Sequence, residues 1–328
     1  MRGLVTLFGG SGFIGENIVR VLAKQGWRLR VAARRPGRAY KLRMLGDVGQ
    51  IEIVQANVRV ADSVERALEG AEAAVYAVGV LYESGAQGFE ALHAAGPGAM
   101  AEIATRLGVG RTVLVSALGA DPHSPSKYAR TKAEGEVAAR AAAPGVTILR
   151  PSIVFGPEDH FFNRFASLAV MSPVLPLIGG GTTRMQPVFV GDVASAVAQA
   201  LADPATAGRT YELGGPGVHT FRELMELTLR EIGRPRRLAT IPWPLASLIG
   251  YGGDVAAWLR GPLPMVPEPP LTSDQVQLLK ADNVVLAGAA GLADLGIQAT
   301  AMEPILPTYL YVYRKGGQYA DQLAEVGG

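Results

Sequence analysis

One stretch near the N-terminus constrains this chain more than any other: Leu4-Val5-Thr6-Leu7-Phe8-Gly9-Gly10-Ser11-Gly12-Phe13-Ile14-Gly15. A run of apolar residues ends in glycines at 9, 12 and 15, and a helical pattern follows. That reads as a buried strand turning directly into a helix N-terminus, where free backbone N–H groups and the positive end of the helix dipole meet. The arrangement suits a dinucleotide pyrophosphate. The spacing is Gly-x-x-Gly-x-x-Gly, not the more familiar Gly-x-Gly-x-x-Gly. A plain structural turn also uses glycine, so the rest of the chain has to decide between the two.

After the turn, Ile14, Ile18, Val21 and Leu22 fall on one helix face, and Gly26 ends the helix. Residues 28–33 read as a second strand, completing a β-α-β unit. Arg34 and Arg35 follow at once, with Arg38 and Lys41 close behind. A site for NAD would place an acidic residue there for the ribose 2′-hydroxyl. A guanidinium binds phosphate oxygens through paired hydrogen bonds, so the arginines favour the 2′-phosphate of NADP over a merely solvated basic loop.

Strands over 51–55, 73–79 and 111–117 alternate with helices, one opening at Asp62 as a plausible N-cap and one over 88–107. The alternation predicts an α/β fold, a Rossmann-type doubly wound parallel sheet covered on both faces. Ligands of such sheets sit beyond the carboxyl ends of the strands, beside the first strand. With 328 residues, 48% of them hydrophobic and 18% charged, the chain has material for a large core and a further, smaller C-terminal α/β lobe. A net charge of +2 excludes a strongly basic nucleic-acid binder. There is no cysteine, and the histidines at 93, 123, 160 and 219 have no metal-ligand spacing, so they read as ordinary loop and surface residues and no metal is expected. No run of about 18 apolar residues is present, and the first strand leaves no room for a targeting peptide. The expectation is a cytoplasmic chain with room for a peripheral place on a membrane.

Tyr128-Ala129-Arg130-Thr131-Lys132 puts a phenol and an ammonium four residues apart, on one helix face. An ammonium beside a phenol lowers the phenol's pKa from about 10 toward working pH, which permits proton transfer to a substrate oxygen. Together, the glycine turn, Arg34-Arg35, Tyr128-x-x-x-Lys132, Arg150-Pro151-Ser152-Ile153-Val154-Phe155-Gly156-Pro157, residues 186–194 and residues 211–216 resemble the extended or atypical short-chain dehydrogenase/reductase superfamily. The resemblance implies that Gly9, Ser11, Gly12, Phe13 and Ile14 contact the pyrophosphate and that Arg34 and Arg35 take the 2′-phosphate. It also implies that Asn57 and Val58 lie against the adenine, and Ala77, Val78 and Gly79 on the adenosine side. Lys132 would bind the nicotinamide ribose, beside Tyr128, with Pro151 and Ile153 bordering the nicotinamide. One departure stands out. Enzymes of the superfamily place Ser or Thr just past the fifth strand to polarise a carbonyl, and here Leu118 takes that position. Ser116 falls about two residues early and is left to help hold the cofactor; Ser124 and Ser126 are the serines that could stand in. Loss of such a donor costs about 2.7–4 kcal/mol of transition-state stabilisation.

From residue 241 the character changes. Residues 241–251 are apolar and aromatic, Trp258 and Leu259 follow, and 261–270 is dense in proline. This reads either as a capping subdomain or as an amphipathic surface for lipid headgroups or a partner protein. Residues 271–285 predict a helix capped by Ser273 or Asp274, and residues 303–315 combine three tyrosines with two basic residues. These two stretches resemble the nucleotide-binding accessory subunits of respiratory complex I, NADH:ubiquinone oxidoreductase (the alpha-subcomplex subunit 9 type), and the likeness runs nearly end to end. The division expected is a nucleotide-binding part at 1–155, substrate-lobe elements interleaved with it at 156–240, and a docking or membrane-surface part at 241–328. The resemblance implies NADPH held without a demonstrated hydride-transfer role, other complex I subunits and the membrane surface as partners, and a place on the cytoplasmic face of a bacterial inner membrane. A soluble NADP-dependent reductase, epimerase or dehydratase using Tyr128 and Lys132 is the alternative, and an NADPH sensor is a third.

Overall fold

The computed structural model describes residues 2–263 and 265–317. Its centre is a sheet of seven strands, all paired in parallel: β1 (Arg2–Phe8), β2 (Trp27–Ala33), β3 (Ile51–Gln55), β4 (Ala73–Tyr76), β5 (Arg111–Val115), β6 (Thr147–Pro151) and a seventh strand, Thr210–Leu213. The order across the sheet is seventh, β6, β5, β4, β1, β2, β3. Val5 of β1 is paired with Leu29 on one side and Ala73 on the other, so its apolar run is buried by both neighbours.

Helices cover both faces, as near-continuous apolar strands require. The intervening segments supply α1 (Phe13–Lys24), α2 (Ala61–Leu68), α3 (Gly96–Arg106), α4 (Lys127–Ala142), α5 (Phe162–Met171) and α6 (Val190–Ala202). Ile18, Val19 and Leu22 of α1 join Val193, Val197 and Leu201 of α6 in the core on one face. Val64 and Leu68 of α2, Met100 and Ile103 of α3 and Ala139 of α4 fill the other. Asp62 lies in the first turn of α2 but does not cap it; Val60 precedes the helix without a side-chain cap.

A smaller lobe has its own core. Helix α5 is followed by a strand, Val174–Ile178. That strand pairs in parallel with Arg237–Ile241, and α7 (Phe221–Glu231) opens with a reciprocal cap between Thr220 and Glu223. Phe155, Phe162, Leu175, Phe221 and Met225 pack together there with Leu306, Tyr309 and Leu310 from the last described residues. The Tyr309 hydroxyl donates to Asp159 at 2.5 Å, and Tyr313 donates to Asn163 at 3.1 Å. The tyrosine-rich stretch is therefore tied into this lobe. Residues before it return to the main sheet, where Thr300 donates twice to the buried Asp192.

Between these pieces lie α8 (Trp243–Arg260) and α9 (Ser273–Leu278). The helical part of 271–285 is only this short segment, because Thr272 and Gln275 form the cap box and the chain leaves helix after Leu279. Helix α8 buries its small residues Ala246, Gly250, Gly253 and Ala257 and turns its large ones outward: Leu248, Tyr251 and Trp258 are each about two-thirds exposed or more, at 67, 64 and 71%. Among the described residues no helix is long and apolar enough to cross a membrane.

Candidate nucleotide-binding site

The sheet order reverses between β1 and β4, and the glycine turn sits at that switch point. Gly9 has φ of 87°, and a Cβ on it would lie 2.6 Å from the Ala77 carbonyl carbon. A Cβ on Gly15 would lie 2.1 Å from the Gly9 oxygen. Glycine at both positions is thus what lets α1 start against the end of β1. Ser11 and Gly12 are exposed, Phe13 and Ile14 half-buried, and no side chain caps α1. The helix presents a bare N-terminus at the mouth of the crevice, the geometry that suits a phosphate.

Arg34 and Arg35 leave the end of β2 and are exposed. Arg59, which the sequence reading passed over, completes a basic trio: burial first, then the charges of Arg59 and Arg35, hold the Arg34 guanidinium below its usual value. Arg34 donates to Gln87 at 2.9 Å, and Arg59 donates to the Ala86 carbonyl at 2.7 Å and to Asn57 Oδ1. By contrast Lys41 is held by Glu16 at 2.7 Å, so it is not part of the trio. Asn57 and Val58 stand at the end of β3, where Ser63 fixes the Asn57 backbone through both its N–H and its carbonyl. Ala77 continues β4, its N–H bonded to the Phe8 carbonyl, and leads to Val78 and Gly79.

The other end of the crevice is aromatic. His93 is 1% exposed in a π-helical segment, Glu90–Ala95, that runs into α3. The sequence offered no sign of this, since burial of a lone histidine depends on distant segments. Its Nε2 accepts from the Val80 N–H at 3.1 Å, and its ring stacks on Phe89 and meets Tyr128 edge-on. Burial, and next the Lys132 ammonium, push His93 down to about 2. It is neutral, with the proton on Nδ1, and Nδ1 has no partner among the described residues.

Tyr128 corrects an expectation. Lys132 Nζ lies 5.8 Å from the centre of the phenol ring, and burial together with the Asp274 carboxylate pushes the phenol up to about 12. Lys132 itself is pushed down to about 8 by burial, with Glu136 acting the other way. The phenol is a neutral donor at neutral pH and is not primed as a base. Lys132 Nζ has one long contact, 3.5 Å, to the Val115 carbonyl. Ser116, just past β5, is buried and its hydroxyl has no partner among the described residues. Leu118 is 7% exposed, and its N–H is bonded to the Pro151 carbonyl. Ser126 is spent as the cap of α4 and as a donor to Asp274, and Ser124 accepts from the Ser126 N–H. Neither replaces the missing donor in this arrangement. Pro151 closes β6, and Ile153 accepts from the Val188 N–H beside it. Arg150, in the same phrase, is a strut, ion-paired with the buried Glu136 at 2.6 Å and with Glu212 at 3.5 Å.

The residues fit a nicotinamide dinucleotide. A bare helix N-terminus and tight glycines match a pyrophosphate, and three guanidiniums match a further phosphate. Among the described residues three buried side-chain atoms lack a partner, Ser116 Oγ and His93 Nδ1 at the Lys132 end and Trp27 Nε1 at the start of β2. Such atoms cost stability when left unpaired, and the two at the Lys132 end mark a place where polar ligand atoms belong. The cofactor would supply a hydride there; this chain's residues would hold it and exclude water.

The family model of the NAD dependent epimerase/dehydratase family matches residues 5–214. The chain is 35% identical over 318 residues to the Arabidopsis thaliana protein called NADH dehydrogenase [ubiquinone] 1 alpha subcomplex subunit 9, mitochondrial, covering 96% of this chain and 79% of that one. It is 33% identical over 257 residues to the ceramide reductase of Caulobacter vibrioides, covering 78% of each. Among solved structures, DesIV of Streptomyces venezuelae, a dTDP-glucose 4,6-dehydratase with NAD and TYD bound, superposes with a TM-score of 0.67 at 22% identity, covering 94% of this chain and 96% of that one. This last likeness concerns the fold.

Proposed function

The chain belongs to the NAD dependent epimerase/dehydratase family, and from that premise we propose that it is an NADPH-binding accessory subunit of respiratory complex I that holds its cofactor without turning over a substrate. The observation that carries this is the near end-to-end match to subunits named for that complex. Two features of the site agree with it. Leu118 supplies no donor to a developing oxyanion, and the Tyr128 phenol is held well above working pH. Arg34, Arg35 and Arg59 favour NADPH over NADH. The exposed apolar side of α8, with Tyr251 and Trp258 on it and Arg260 at its end, supports a place against the membrane surface, beside other subunits of the complex. In a bacterium that surface is the cytoplasmic face of the inner membrane. A tightly held cofactor stabilises its folded host by about 4 kcal/mol at a thousand-fold excess over its dissociation constant.

The test is native separation of detergent-solubilised membranes. The chain should run with complex I, and nucleotide extracted from that band should be NADPH. Recovery of the chain only in soluble fractions, free of complex I, overturns the proposal. The likeness to ceramide reductase favours one second reading, a reductase using Tyr128 and Lys132. Under it, bound NADPH is oxidised by a carbonyl substrate and Tyr128→Phe abolishes the reaction; under the first, NADPH stays reduced.

A further inference from the structure

The segment from Thr272 to Asn283 makes contacts that holding α8 in place does not require. Asp274 accepts hydrogen bonds from the Ser126 hydroxyl at 2.8 Å, the Lys127 N–H at 2.6 Å and the Tyr128 N–H at 3.1 Å. A carboxylate from one end of the chain thus caps the helix that carries Tyr128 and Lys132, the position where negative charge is most stabilising. Gln275 donates to the Leu81 carbonyl, on the loop that leads away from Gly79. Asn283 donates to the Leu118 carbonyl at 3.4 Å and accepts from the Ser152 hydroxyl at 2.6 Å. Its backbone also bonds to Arg184 and Gln186. The segment therefore touches four separate pieces around the nicotinamide end of the crevice: the loop after β4, the loop after β5, the start of α4 and the end of β6.

The same segment is the seat of α8. A Cβ on Gly250 would lie 2.8 Å from the Ser273 nitrogen, and one on Gly253 would lie 1.7 Å from the Leu271 carbonyl oxygen. Asp254 accepts from the Ser273 N–H at 3.2 Å. The glycines let α8 rest directly on the backbone of the segment, with no side chain between them.

We propose that residues 272–283 form an internal latch over the nicotinamide end of the site, with α8 as its lever, so that release of bound nucleotide is governed by the position of α8. This rests on the reading of the site as one that retains NADPH. The latch is fastened by polar bonds that can be broken and remade, and the exposed apolar side of α8 is the face proposed above to meet the membrane surface. Docking of α8 and retention of nucleotide are then linked, and by reciprocity each strengthens the other.

The experiment measures the rate at which NADPH leaves the full-length protein, following loss of its fluorescence after excess NADP⁺ is added. Asp274→Asn keeps the shape and removes the charge. It should speed release by about tenfold while association changes by less than about threefold, since mutational effects within one interface fall mainly on dissociation. Gly253→Ala, at the joint and away from the site, should also speed release. Thr220→Ala, which removes a helix cap elsewhere, should lower the melting temperature and leave release unchanged. If Asp274→Asn does not fold, Asn283→Ala carries the same expectation. Unchanged release in folded latch variants overturns the latch alone. A wild-type protein that holds no NADPH overturns both the latch and the reading on which it rests.

Discussion

Removing the Arg34 guanidinium tests the assignment of the basic trio. Arg34 is exposed and its side chain donates to the neutral Gln87, so among the described residues no buried partner is orphaned by Arg34→Ala. Arg59 and Arg35 already disfavour its charge, so the empty protein loses little and sheds some repulsion. A bound 2′-phosphate changes that balance. Hydrogen bonds to charged groups contribute about 1.5–3 kcal/mol each, and exposure reduces this. A net loss of about 2 kcal/mol is expected, which is about thirtyfold in NADPH affinity. NADH lacks the phosphate, so its affinity should change by less than about threefold. Parallel fluorescence titrations with NADPH and NADH, at fixed salt, measure both. Equal losses for the two nucleotides, or no loss for either, would refute the assignment. Raising salt should narrow the gap between them, because the trio is at the surface.

Gly15→Ala places a methyl 2.1 Å from the Gly9 oxygen and 2.6 Å from Gly10 Cα, both backbone atoms, so the turn must shift; nucleotide binding should be lost and the melting temperature lowered, while Gly37→Ala, with open space around it, should do neither. Glu136→Ala leaves Arg150 without its nearest anion in a mostly buried setting, and a cost of about 3 kcal/mol in urea unfolding is expected. An Arg150 paired well enough by Glu212 alone would show as a loss under about 1 kcal/mol. Lys132 gives a pH dependence. Its pKa is lowered in the folded chain to about 8 from 10.5, so the unfolded chain binds more protons between those values and stability of the nucleotide-free protein rises through that window. The gain is on the order of 3 kcal/mol at most, is absent below pH of about 8, and should vanish in Lys132→Met. Tyr128 acts oppositely but later: its raised value makes stability fall between about 10 and about 12, as the unfolded phenol ionises first.

Much of the architecture is local and therefore readable. The apolar runs of β1 to β5, the helical periods between them and the glycine turn depend on residues near in sequence, and each expected element is present. The candidate site was legible to the extent that it is built from segments that follow strands: the glycine turn after β1, Arg34 and Arg35 after β2, and Lys132 on the helix after β5. What failed depended on remote partners. The sequence offers Ser273 or Asp274 as cap of the helix at 271–285, but Thr272 takes that role and Asp274 caps α4, 146 residues away at Tyr128. Lys132, four residues along, predicts a lowered Tyr128 pKa. That expectation is overruled by burial and by that same Asp274.

The sequence by itself determined the sheet, the glycine turn at its centre and the leucine at 118 just past β5, because hydrophobic period, glycine geometry and residue type act locally. Only the tertiary structure decided that Arg59 joins the basic trio, that His93 is buried and neutral, and that α8 turns its large apolar residues outward. Each of these depends on which distant segments come to rest against one another. In α8 the small residues are drawn inward because a backbone segment must approach closely, and that leaves the bulky side with no room except outside.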